Sequence, residues 1–199
     1  NPNKWLINNR MFKLLKSKVF INLAYQLLDT KEISVHGIFN TRPQLPAADF
    51  AKAPWHQDSQ YWPLKPSNSV TVWLAIFDTN KDNSAMKVVS GSHKTKKYLH
   101  TENNNRNYIL NQEVGDDQID KNKIVFMSLK AGEISLHSDA LLHGSDANTS
   151  DRPRCGMTFR YSPSHVKADL NEWPFFSIQV ARGSKQHILN PVAPIPRGE

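Results

Sequence analysis

The sequence predicts an antiparallel, mainly β architecture, either closed on itself or built from two sheets. Short apolar runs recur along the chain, each bounded by Gly, Pro, Asn or Asp, and helical periodicity is confined to the first 29 residues. The run Arg154 to Tyr161 alternates, with Arg154, Gly156, Thr158 and Arg160 on one parity and Cys155, Met157, Phe159 and Tyr161 on the other. A period of two marks a strand with unlike faces, and many short punctuated strands with little interior helix fit such an architecture. At 199 residues one domain, 1–199, is the expectation, burying roughly 70% of the unfolded surface.

In chain order, Trp5, Leu6, Met11, Leu14, Leu15, Val19, Phe20, Leu23, Leu27 and Leu28 recur at spacings of three and four, while Lys13, Lys16 and Lys18 fill the other side. This is a helix expected to prop a sheet from outside. Lys31 to Ile38 reads as a strand and Asn40 to Lys52, with Pro43 and Pro46, as a loop. Pro54 to Trp62 is extended, and Pro63 to Ser69 is a turn region, since its prolines do not suit a central strand. Val70 to Phe77 is an almost continuous apolar strand, Asp78 to Ser84 a polar turn, and Met86 to Val89 a brief strand closed by a reversal at Gly91. The polar, Asn-rich stretch 94–123 is expected to be an insert, either a lid or a surface excursion. Strands follow at Ile124 to Leu129, at Ile134 to His143 with a bend, at Arg154 to Tyr161 and at Trp173 to Val180; Pro191 to Pro196 is extended surface chain.

Lys and Arg total 25 against 18 Asp and Glu, a net charge of +7 that could steer an anionic substrate. The basic clusters, Lys13 to Lys18 and Lys94 to Lys97, are not interleaved with aromatics, which argues against nucleic-acid binding. Cys155 is the only cysteine, so neither an internal disulfide nor a Cys-rich zinc site is available; it reads as a small buried hydrophobe. No apolar run approaches the roughly 18 residues of a membrane span. A cytoplasmic location is expected, although the chain starts at Asn1 without a methionine and a targeting segment could have preceded it.

His56 and Asp58 stand two residues apart on an extended segment, which directs both to one side. With His143, at the end of an apolar run and before Gly144, they would form the two-His, one-carboxylate set that holds non-haem Fe(II) and leaves positions open. The same donors suit zinc, so a zinc-dependent cupin-like hydrolase and a non-catalytic binding protein are the alternatives. Arg154, expected on a neighbouring strand, offers a planar fork that can grip a carboxylate with two hydrogen bonds. Gln57 should point away from the metal, Thr71 and Trp73 should face inward against cosubstrate or substrate, and Gln60, Tyr61, Trp62 and His137 are candidates to line a substrate cavity. His93 and Asn148 read as residues that stabilise turns and loops.

The segments Pro54 to Leu64, Val70 to Ile76, Val88 to His93 and Gly132 to Arg154, the last reading GEISLHSDALLHGSDANTSDRPR, resemble the phytanoyl-CoA dioxygenase family of Fe(II)/2-oxoglutarate oxygenases across most of Phe39 to Ala181. The resemblance implies a double-stranded β-helix, the cupin-like jelly roll, with supporting helices. It implies catalytic iron ligands His56, Asp58 and His143, the last chosen over His137 because it precedes Gly-Ser. It further implies that Arg154, aided by Ser145, binds 2-oxoglutarate, and that dioxygen oxidises a small-molecule substrate. Asp58 at the position that halogenating relatives vacate points to hydroxylation or another oxidation. Two departures stand out: Asn83-Ser84 replaces an Asn-Gly turn, and the family implies further helix and strand ahead of Asn1, so a truncated N-terminal wall is expected.

Overall fold

The computed structural model describes residues 9–41, 44–46, 52–95 and 97–195. Helices α1 (Asn9–Leu15) and α2 (Lys18–Leu28) come first, then a mainly β body. The larger sheet joins β1 (Ile33–Thr41), β4 (Val70–Ala75), β9 (Ile134–Ser138), β11 (Gly156–Pro163) and β13 (Ile178–Arg182) in the order β13-β1-β11-β4-β9. The smaller joins β2 (Ala53–His56), β5 (Lys87–Val89), β8 (Ile124–Phe126) and β10 (His143–Ser145) in the order β2-β10-β5-β8. Two-stranded ribbons pair β3 (Leu64–Lys65) with β12 (Lys167–Ala168) and β6 (His100–Glu102) with β7 (Gln112–Val114). Pairings between these strands are antiparallel, and among the described residues no ladder closes the two main sheets into a barrel.

Alternation gives the larger sheet two faces. Ile33, Val35, Val72, Phe159 and Tyr161 lie on one face and pack with Leu15, Phe20, Ile21 and Ala24 from the helices, forming the largest buried apolar cluster. The Tyr161 hydroxyl donates to the carbonyl of Leu15 at 2.7 Å, which satisfies a buried polar tip and anchors the end of α1. The opposite face carries His36, Arg160, Thr71 and His137 as directly paired residues across four strands, β1-β11-β4-β9. The helical region props the sheet, as expected, but it is two helices, with a break at Lys16 and Ser17. Val19 and Leu27 face solvent, so the apolar stripe is narrower than the sequence suggests, while Trp5 and Leu6 lie outside the described residues.

Several boundaries move for identifiable reasons. The expected strand Ile134 to His143 is two strands in different sheets, because 139–142 turns the chain from one sheet to the other. The expected strand Trp173 to Val180 begins only at Ile178, and Trp173 and Phe176 instead pack with Trp62, Leu64 and Val166. Much of the anticipated loop 40–52 falls on residues that are not described, but Gln44 bridges Arg154 through both backbone hydrogen bonds, at 2.7 and 3.0 Å. Ser84 has φ 72, the left-handed conformation that glycine favours, so the turn keeps its shape without its glycine; the Ser84 hydroxyl donates to the Asp146 carbonyl at 2.6 Å.

His36 is 1% exposed, and burial, followed by the nearby Arg160 charge, lowers its pKa to about 3. Between that value and the ordinary 6.5 only the unfolded chain takes up this proton, so its stability penalty is absent above 6.5 and grows as pH falls through the window. Denaturant titrations of the metal-free protein at pH 7 and pH 5 should show the wild type losing more stability than His36→Gln, by about 2 kcal/mol. Equal losses would remove His36 from the acid response.

Candidate metal centre and its cavity

The metal segment is strand only as far as His56. Gln57 continues extended at φ −109 and ψ 134, and Asp58 then opens a 3-10 turn through Gln60, so the two-residue spacing still places His56 and Asp58 together. His143 opens β10 and pairs directly with His56 across the β2–β10 ladder. The ligand atoms of His56, Asp58 and His143 lie within 4.8 Å of one another, and all three residues are buried. The imidazole centroids of His56 and His143 are 4.1 Å apart.

Both histidines are oriented by their own strands. His56 Nδ1 lies 2.8 Å from the Pro54 carbonyl and His143 Nδ1 2.9 Å from the Leu141 carbonyl. A carbonyl only accepts, so in each ring Nδ1 carries the hydrogen and Nε2 presents a lone pair. Burial lowers the pKa of His56 despite the opposing pull of Asp58, and burial together with the neighbouring His56 lowers that of His143 further. Burial pushes the Asp58 carboxyl upward, but Arg160, His137, His143 and His56 outweigh it and hold the group well below the usual carboxylate range. Neutral imidazoles beside an ionised carboxylate are the protonation states a divalent metal requires.

Asp58 Oδ2 faces the polar row of the larger sheet. The Thr71 hydroxyl is 3.4 Å away, His137 Nε2 3.9 Å and Arg160 Nη2 3.9 Å. Arg154 lies near the far end of the same strand face. Its guanidinium stacks over the Trp73 ring at 5.0 Å, its Nε has no hydrogen-bond partner, and burial lowers its pKa to about 10, leaving it charged at neutral pH. Gly156 makes that stack possible, because a Cβ there would stand 1.9 Å from the Trp73 ring.

One cavity of about 200 Å³ gathers the three candidate ligands with Arg154, Ser145, Thr71 and Trp73, and with Tyr61, Trp62 and His137. Gln60 is not on its wall and donates instead to Gln112 Oε1 at 2.8 Å. Gln57 turns away from the ligands and ties neighbouring segments, donating to the Ala140 carbonyl at 2.7 Å and accepting from the Tyr98 amide at 2.9 Å. His93 is exposed in a 3-10 turn, and Asn148 fixes its loop by donating to the Arg152 carbonyl at 2.7 Å. Cys155 is half-buried where full burial was expected, and it lies just before the start of β11 at Gly156; burial raises its pKa. Arg160, Thr158 and Gln44 also line the cavity and were not singled out from sequence, although parity had grouped the first two with Arg154. Asp139 was missed as well: it accepts from Ser67 and Ser69 at 2.9 and 3.1 Å, and its carbonyl accepts from the Ser59 amide at 3.0 Å, bracing the turn that carries Asp58.

Comparison with known proteins agrees with this geometry. Over 174 residues the chain is 25% identical to the probable alpha-ketoglutarate-dependent hypophosphite dioxygenase of Stutzerimonas stutzeri, covering 86% of this chain and 57% of that one. It is 24% identical to the peroxisomal phytanoyl-CoA dioxygenase of Bos taurus over 135 residues, 67% of this chain and 40% of the relative, so it spans about half the length of such proteins. In fold it is similar to the non-haem monooxygenase ThoJ in its apo form, with a TM-score of 0.80 at 23% identity over 97% of this chain and 68% of that one. The sequence model of the phytanoyl-CoA dioxygenase family, PhyH, matches residues 2–156. With its metal-ligand set at the meeting of two antiparallel sheets, the chain belongs to the phytanoyl-CoA dioxygenase family.

Proposed function

We propose that this chain is the core of an Fe(II)- and 2-oxoglutarate-dependent oxygenase that oxidises a small molecule, with its two sheets corresponding to the double-stranded β-helix of such enzymes. The observation that carries the reading is Arg154: a buried guanidinium whose Nε lacks a partner, on the wall of the cavity that holds His56, Asp58 and His143. An unpaired buried charge is costly and calls for an anionic partner, and a planar fork suits a carboxylate. A zinc hydrolase would need the three ligands but no such group. Bound iron supplies the coupling of 2-oxoglutarate decarboxylation by dioxygen to oxidation of the substrate.

The protein's own residues set the direction of that chemistry. His56, Asp58 and His143 hold the metal on one side of the cavity, Arg154 with Ser145 takes the far carboxylate of 2-oxoglutarate, and Trp73 supports the guanidinium from beneath. Thr71 steadies the Asp58 oxygen turned away from the other ligands. Tyr61, Trp62 and His137 face the remaining space, where the substrate would lie. The insert 94–123 serves as a partial lid: Ile109 and Leu110 reach the cavity wall, while Val114 and Ile119 are buried against Trp55 and Leu142.

Elemental analysis of folded, iron-reconstituted protein should find His56→Ala, Asp58→Ala and His143→Ala depleted of iron and His137→Ala loaded like the wild type. Full iron in His143→Ala would reject the distal ligand. Arg154→Ala should retain iron but lose about 2 to 5 kcal/mol of 2-oxoglutarate binding, roughly 30-fold to several thousandfold in affinity, with Arg154→Lys recovering part. An unchanged dissociation constant in iron-loaded Arg154→Ala would overturn the oxygenase reading. In amide exchange, 103–111 should be fast in the free protein and slow on addition of iron and 2-oxoglutarate, while the Val114 amide is protected throughout. Uniform protection of 103–111 before addition would rule out a lid.

A further inference from the structure

Metal and cosubstrate capture account for His56, Asp58, His143 and Arg154, whereas Arg160, a second buried arginine on the same cavity wall, meets that centre only as a charge 3.9 Å from Asp58. We propose that Arg160 binds the acidic group of an anionic substrate, a carboxylate or phosphonate oxyanion, beside the metal ligands. The proposal rests on the oxygenase reading above and names the substrate class for that site.

Position is the first argument. Arg154 and Arg160 share a strand parity six residues apart, roughly 20 Å of extended backbone. On the β4–β11 ladder Arg160 pairs with Thr71 and its Nη2 lies 3.9 Å from Asp58 Oδ2, whereas Arg154 stacks over Trp73, two residues further along β4. A cosubstrate clamped by Arg154 therefore occupies one end of the cavity and leaves the Arg160 end for a second molecule.

Orientation is the second. The guanidinium lies 4.4 Å over the Trp62 ring, and Nη1 donates to Thr158 Oγ1 at 3.2 Å. At 3.9 Å the approach to Asp58 is a charge contact, and the Trp62 face and the Thr158 hydroxyl help to set the plane of the fork. A fork held this way binds an oxyanion without first losing much rotamer freedom. Among the described lining residues, Arg154 and Arg160 stand against the single carboxylate Asp58, and the cavity field favours an anion. Its volume of about 200 Å³ restricts that anion to a small molecule.

The test is calorimetric titration, without oxygen, of protein loaded with Fe(II) and 2-oxoglutarate. The probes are acetate, benzoate and methylphosphonate, each paired with an uncharged counterpart: acetamide, benzamide and dimethyl methylphosphonate. At least one anion should bind wild type tenfold or more tighter than its counterpart, and the carboxylate and phosphonate arms tell the two sources apart. With each variant first loaded with Fe(II) and 2-oxoglutarate to the wild-type level, as read by elemental analysis and titration, Arg160→Gln should lose the preference, and Arg160→Lys, which keeps the charge beside Asp58, should restore part of it. A wild type with no preference for anions overturns the proposal, whether or not the variants fold. Retention of the preference in Arg160→Gln also overturns it, and loss of iron from that variant would make Arg160 a positioning residue for Asp58 instead. Failure of wild type to capture 2-oxoglutarate would sink the oxygenase reading itself and is measured first.

Discussion

The molecule depends on keeping one carboxylate ionised inside a β fold. Asp58 is 7% exposed, and burying a charge is costly unless other groups compensate for it. The compensation comes from both sheets. On one side His56 and His143 approach from paired strands; on the other, Thr71, His137 and Arg160 form a paired row that meets Oδ2. The ladder registers thus bring one hydroxyl, one imidazole and one guanidinium to the same carboxylate oxygen.

What could be read from the sequence followed from local rules with long reach. The His-x-Asp spacing survives the early end of β2, because an extended Gln57 has the same effect on side-chain direction as a strand residue. The parity of Arg154 to Tyr161 separates the helix-facing residues Phe159 and Tyr161 from the cavity-facing Thr158 and Arg160. What could not be read is which strand pairs with which. The alignment of Arg160, Thr71 and His137 is a register property spread over 90 residues of sequence, and no local pattern encodes it. Asp139 stayed hidden for a related reason: its partners Ser67 and Ser69 come from the far side of β4 in the chain.

The insert shows how a polar composition can conceal structure. Its asparagines suggest loop, yet the β6–β7 ribbon is bound to the metal segment at several points. The Gln57 amide donates to His100 Nε2 at 3.1 Å, the Tyr61 hydroxyl donates to the Gln112 carbonyl at 2.8 Å, and Gln60 meets the Gln112 side chain. These partners flank Asp58 on either side. Any displacement of the ribbon would therefore be felt at the turn that aims the carboxylate. Two apolar residues, Val114 and Ile119, anchor the insert to Trp55 and Leu142, and its tip is tied to Lys52 by the amide of Ile109 and the carbonyl of Asn107.

Core and site are also inseparable along β11. The strand spends alternate residues on different tasks: Phe159 and Tyr161 seat the helices, while Gly156, Thr158 and Arg160 face the cavity. A slip of one residue would exchange the two sets, placing arginine under the helices and tyrosine against the metal ligands. Apolar packing on one face therefore enforces the polar register on the other. Gly156 carries the same coupling at the opposite end, since Trp73 can cross the strand to support Arg154 only where there is no Cβ. The helices, remote from the chemistry, thus act on it through the register they impose, and a destabilised helix contact would be expected to loosen the Arg160 and Arg154 ends of the cavity together.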